Sequence, residues 1–125
     1  MGRIERFEDI QAWQKARVLT RKIYEVTGQG NFAKDFALRD EIRRAAISIM
    51  LNIAEGFARR SNKEFKQFLY IGHGSAAEVQ SALYIALDQA YLDESNFKEF
   101  YDETEQASKM IAGFIRYLGN STKSK

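Results

Sequence analysis

Few side chains in this sequence are equipped for acid–base, nucleophilic or metal chemistry. The 125 residues include no cysteine and a single histidine, His73. Without cysteine there is no disulfide framework, no thiolate metal site and no thiol nucleophile. A zinc site needs three or four ligands, and a di-iron helical bundle pairs each histidine with a glutamate three residues earlier. Tyr70 stands at that position, so no metal and no cofactor are expected, and His73 reads as a surface or packing residue. The run Gly72-His73-Gly74-Ser75-Ala76 has the outline of a serine elbow or a phosphate loop. An elbow sits between a strand and a helix, and a phosphate loop opens a helix. Here the run lies inside a helical pattern, and His73 and Ser75, two residues apart, point in different directions. Glu55 lies about one turn from Asn52, and Asn52 one turn from Ser48, close to an apolar seam. Polar groups so placed specify register or partner. With no second acid or base beside Glu55, no catalytic residue is assigned and the chain is read as not an enzyme.

The charged residues are more informative. The net charge is only +2, but residues 1–66 carry 14 Lys and Arg against 9 Asp and Glu, and residues 67–125 carry 5 against 8. The basic half suits nucleic acid, or the acidic half of another copy. The cations proposed to meet phosphates are Arg17, Arg21, Arg39, Arg43, Arg59, Arg60, Lys63 and Lys66.

These residues are carried by helices. Ala12, Ala16, Leu19, Ile23 and Val26 recur at steps of four and three, one stripe of a first helix, with Asp9 as its cap and Gly28 and Gly30 as its stop. After a loop over residues 29–36, with Asp35 as cap, Leu38, Ile42, Ala45, Ile49, Ile53 and Phe57 trace a second helix over about 37–58. A turn at residues 59–62, with Ser61 or Asn62 as cap, leads into a third whose seam runs from Phe65 through Phe68, Gly72, Val79 and Leu83 to Ala86. The fourth buries Phe97, Phe100, Thr104, Ala107, Ile111, Phe114 and Leu118. The absence of proline, which breaks helix interiors, agrees. The expected fold is all-α, an antiparallel up-down-up-down four-helix bundle forming a single domain over 1–119, with a flexible polar tail over 120–125.

The tight turn between the second and third helices sets their register, so facing residues have numbers summing to about 122. Ser48 then faces Gly74, Leu51 faces Ile71, and Arg44 forms an interhelical ion pair with Glu78. Gly72 and Gly74 are expected to let the two backbones approach. Tyr84, Ile85, Leu87, Tyr91 and Leu92 exceed what one core requires and suggest a subunit interface. No apolar run reaches the ~18 residues of a membrane span, and the charged first ten residues lack the core of a signal peptide. A cytoplasmic protein is expected.

The stretch Phe36-Ala37-Leu38-Arg39-Asp40-Glu41-Ile42-Arg43-Arg44-Ala45-Ala46-Ile47-Ser48-Ile49, continuing through Asn52-Ile53-Ala54-Glu55-Gly56-Phe57, resembles a bacterial four-helix bundle family. Its members are labelled S23 ribosomal proteins, or proteins encoded by intervening sequences in 23S ribosomal RNA genes. Trp13-Gln14-Lys15-Ala16, Glu64-Phe65 with Phe68-Leu69, Gly74-Ser75 and Glu78 extend the resemblance over nearly the whole chain. Ala33 stands where many relatives have proline, which concerns loop shape. The resemblance implies a homo-oligomer, with pentameric rings known among relatives. A related branch comprises retroelement accessory proteins that bind a reverse transcriptase and nucleic acid through a basic surface. The basic first half and the acidic fourth helix also suit head-to-tail contact between copies. Two functional expectations follow: an oligomeric scaffold that binds RNA or DNA, or an adaptor whose basic surface meets an acidic protein.

Overall fold

The computed structural model describes residues 3–121. Its four long helices are α1 (Gln11–Thr27), α2 (Phe36–Phe57), α3 (Asn62–Asp88) and α4 (Glu94–Ser121). Each packs against the next, and α1 closes the ring against α4, giving the antiparallel four-helix bundle. No strand occurs among the described residues.

The core follows the apolar stripes. Ala12, Ala16, Leu19 and Ile23 of α1 are buried, as are Leu38, Ile42, Ala45, Ile49 and Ile53 of α2. Val79, Leu83 and Ala86 of α3 and Phe100, Ala107, Ile111 and Leu118 of α4 are buried too. Two expected caps are in place: the Asp35 carboxylate accepts from the Leu38 amide at 3.1 Å, and the Ser61 hydroxyl from the Glu64 amide at 3.1 Å. Each satisfies an amide that the first helical turn leaves without a backbone partner.

Asp9 does not cap α1. It ends a short 3-10 turn, Phe7–Asp9, and its carboxylate accepts from the amides of Glu5 and Arg6 at 3.0 and 3.2 Å. The turn forms because Phe7 packs edge-on against Trp13, with ring centroids 5.1 Å apart, and Ile10 enters the core. A second such turn, Phe32–Lys34, occupies the expected loop and buries Phe32 against Tyr91, their rings stacked at 5.0 Å. The Tyr91 hydroxyl donates to Asp35 at 2.9 Å, so the cap of α2 is itself tied to the far end of α3. Beyond α3 the chain reverses at Ala90, whose φ of 63° lies in the left-handed region, and the Tyr91 amide bonds back to the Ala86 carbonyl at 2.9 Å. This is the closure that glycine normally provides. Helix α4 runs through Gly119 to Ser121, two residues past its expected stop; the rest of the expected tail, 122–125, lies outside the described residues.

The α2–α3 register agrees with the turn geometry: the Ser48 and Ser75 hydroxyls meet at 2.7 Å, and Asn52 Nδ2 donates to the Ser48 hydroxyl and carbonyl, each at 2.9 Å. The ion pair expected across this interface does not form. Arg44 bonds instead to Glu41 on its own helix, which holds the guanidinium pKa up; Glu78 adds only a weaker through-space attraction. Three residues apart, Glu41 and Arg44 lie on one exposed helix face, and pairing there spares Arg44 the reach to α3. The glycines also differ from expectation. A methyl on Gly72 would meet Asn52 Cβ and the Ile49 carbonyl at an ordinary 3.7 Å, and one on Gly74 would have nothing within 4 Å. The close approach is at Gly56, where a methyl would fall 2.7 Å from Phe65 Cδ1 and 2.9 Å from Phe68 Cβ.

Candidate nucleic-acid interface

The eight candidate cations lie in three places, and several already have work within the fold. Arg43 sits where α2 passes the end of α1. Its Nε donates to the buried Thr27 hydroxyl at 2.8 Å, its NH2 to the Tyr24 carbonyl at 3.4 Å, and its guanidinium lies 4.4 Å from the centre of the Tyr24 ring. A cation against the last carbonyls of a helix complements the helix dipole, so Arg43 is a structural clamp. Arg39, nearby, donates to Asp40 at 2.9 Å and to the Ala33 carbonyl at 3.1 Å, and covers Phe36. Arg17 and Arg21 lie exposed on the outer side of α1, Arg17 leaning over Trp13 at 5.7 Å.

The remaining four gather at the α2–α3 turn, at the opposite end of the bundle from Arg39. Arg59 donates to Glu55 at 2.7 Å and lies over the Phe68 ring at 4.7 Å. Arg60 and Lys63 are exposed, with no ion pair among the described residues; Lys66 is half-buried. Over residues 58–66 the only acid is Glu64.

Beside this turn the structure opens a half-enclosed cleft of about 970 Å³, between residues 3–4, the start of α1, the turn and the end of α4. Its wall is a row of rings. Phe57 meets Phe65 at 6.1 Å, Phe65 meets Phe114 at 5.2 Å, and Phe114 meets Tyr117 at 6.0 Å. Tyr117, at the outer end, is 60% exposed. Three of the rings were legible singly as core-face residues. Nothing in their spacing announces the row, because it draws on three helices.

The acidic fourth helix is partly neutralised within the chain. Lys22 of α1 bridges Glu103 at 2.6 Å and Glu99 at 3.0 Å, and both bonds raise the lysine pKa, that to Glu103 most. The charge complementarity expected between copies therefore also clasps the first helix to the last. Much of the surplus apolar surface of α3 is used internally too: Leu92 is buried, Tyr91 packs on Phe32, and Tyr84 leans on Phe97 and Tyr101 of α4. Ile85 stays exposed at 48%, and Leu51, Tyr70 and Ile71 are exposed on α2 and α3 at 63%, 62% and 53%. Glu55 is an exposed partner of Arg59, and His73 lies on the surface. Among the described residues no three His, Asp or Glu side chains converge to hold a metal, and no helix is long and apolar enough to cross a membrane.

The model of the 23S rRNA-intervening sequence protein family matches residues 8–113, which takes in the bundle from the first 3-10 turn to most of α4. The chain belongs to that family. Its fold is similar to that of a protein of unknown function from the S23 ribosomal protein family of Bacteroides thetaiotaomicron VPI-5482. The two share 21% identity with a TM-score of 0.76, over 83% of this chain and 97% of the other. At that identity the likeness concerns the bundle, and the S23 relative has itself no known function. No curated protein matches the chain. Membership of the 23S rRNA-intervening sequence family thus agrees with the four-helix architecture.

Proposed function

We propose that the protein is a non-enzymatic, homo-oligomeric helical scaffold of the cytoplasm that binds RNA or DNA through its basic surface. The observation that carries this reading is the α2–α3 turn, where Arg60 and Lys63 stand exposed, with no ion pair among the described residues, beside Arg59 and Lys66. Cations so placed bind phosphates and position a nucleic acid without reading its sequence. Arg17 and Arg21 extend this surface along α1, whereas Arg43 contributes chiefly to the fold. The exposed Leu51–Ile71 ridge is the surface for contact between copies. Five copies in a ring, and a reverse-transcriptase-like protein as a further partner, come with the family resemblance.

Fluorescence anisotropy with a structured RNA tests the nucleic-acid part. Affinity should fall steeply between ~50 and ~200 mM salt, and exchanging Arg60 and Lys63 together for Gln should lower the logarithmic salt slope by about two. No binding at the lowest salt would refute it and favour the adaptor reading, in which the same cations meet an acidic protein. Light scattering tests the scaffold part: the wild-type chain should exceed the monomer mass, and Leu51→Glu should reduce it. A monomeric wild type would refute self-assembly.

A further inference from the structure

We infer that the cleft at the α2–α3 end of the bundle receives an unpaired base of a single-stranded segment while Arg60 and Lys63 hold its phosphates. This rests on the nucleic-acid reading above and names the part of the nucleic acid that is gripped. A base is recognised by a flat apolar surface for its face and by hydrogen-bonding groups for its edge. Tyr117, the exposed ring of the row, supplies the first. Phe65 and Phe114 are fixed by their mutual edge contact at 5.2 Å, and they back Tyr117, whose ring stands 60% exposed at the outer end.

Gln11 supplies the second. It lines the cleft and is exposed, and its side-chain amide makes no hydrogen bond among the described residues. Gln14, also in the lining, donates Nε2 to the Glu8 carbonyl at 2.8 Å and keeps its amide oxygen as an acceptor.

The charge around the cleft suits a phosphodiester. Arg3 and Arg59 line it, with Arg60 and Lys63 in the adjoining turn. The one acid in the lining, Asp9, is occupied by the Glu5 and Arg6 amides. An acidic peptide would use these cations but not the aromatic wall. A volume of about 970 Å³ leaves room for a nucleotide with its sugar. The sequence shows no basic motif interleaved with aromatics because cations and rings arrive on different elements and meet only in the bundle.

The test compares two probes with the full chain at low salt: a single-stranded oligodeoxyadenylate about twelve nucleotides long, and an abasic strand of equal length and charge. The intact strand should bind about tenfold tighter than the abasic one. Tyr117→Ala should abolish that difference without changing the affinity for the abasic strand, while Tyr117→Phe should preserve it. Equal binding of both probes by the wild-type chain would overturn the inference and leave the nucleic-acid reading standing. Failure to bind either probe or a structured RNA would overturn both. A change in oligomeric mass on Tyr117→Ala, with probe affinities unaltered, would show that a second copy of the chain covers the cleft and would also overturn the inference.

Discussion

Replacing glycine by alanine should have opposite effects at two positions on the same pair of helices. Within a helix the exchange gains about 1 kcal/mol from backbone entropy alone. At Gly74, where a methyl has nothing within 4 Å, that gain should appear undiminished. At Gly56 the methyl meets Phe65 Cδ1 at 2.7 Å, Phe68 Cβ at 2.9 Å and the Phe65 carbonyl at 3.1 Å. The Phe65 ring cannot swing clear, because it is buried between the rings of Phe57 and Phe114. Overpacking of this kind costs about 1–3 kcal/mol; with the ring pinned and a backbone atom also involved, the upper end applies. Setting ~3 against ~1 kcal/mol leaves Gly56→Ala destabilised by ~2 kcal/mol. For 125 residues, each kcal/mol moves the melting temperature by about 4 °C. Gly74→Ala should therefore melt about 4 °C higher and Gly56→Ala about 8 °C lower than the wild type. Circular dichroism at one fixed protein concentration reads this and holds the effect of the proposed self-association constant. Gly56→Ala melting at or above the wild type would refute the close approach that shapes the α2–α3 turn.

Arg43→Met should cost about 1–3 kcal/mol in urea denaturation, because it strips the buried Thr27 hydroxyl and the Tyr24 carbonyl of a charged donor. Arg60→Met should change stability by less than about 0.5 kcal/mol while lowering the salt slope of RNA binding by about one. Alkaline pH should weaken the fold. The bond from Tyr91 to Asp35 lifts the phenol above its ordinary 10.0, and Glu103 and Glu99 lift Lys22 above 10.5. Both groups hold their protons longer when folded, so their stabilisation is complete below about pH 10 and is lost as pH rises through the folded values. Chemical denaturation across that range should show the decline, and Tyr91→Phe should make it shallower.

The helices were legible because burial selects one stripe per 3.6-residue turn, and Leu38 to Phe57 or Phe97 to Leu118 display that stripe directly. Asp35 was legible as a cap, and Ser61 as one of two candidates with Asn62, because each places a side-chain oxygen just ahead of an apolar run. Asp9 misled because it has the right type in nearly the right place, while the contact that moves it, Phe7 on Trp13, is tertiary. Nothing about alanine signals that residue 90 takes a positive φ. The basic candidates were legible as charges but not as surfaces: Arg43 resembles Arg60 in the sequence, and only the packing of α1 on α2 shows that one is clamped and the other free. Gly72 and Gly74 drew attention as a pair, yet the glycine that the helices need is Gly56, whose neighbours arrive after the turn.

The clasp between Lys22 and the Glu99–Glu103 pair has a practical consequence for anyone attaching a tag or a fusion partner. By holding the first helix against the last, it brings residue 3 and residue 118 to the same end of the bundle, where both line the cleft beside the α2–α3 turn. A tag held close to residue 3 or residue 118 would therefore sit beside the basic surface, and a basic tag would bring phosphate-binding charge of its own. Cutting the tag away before a binding measurement would keep it clear of that interference.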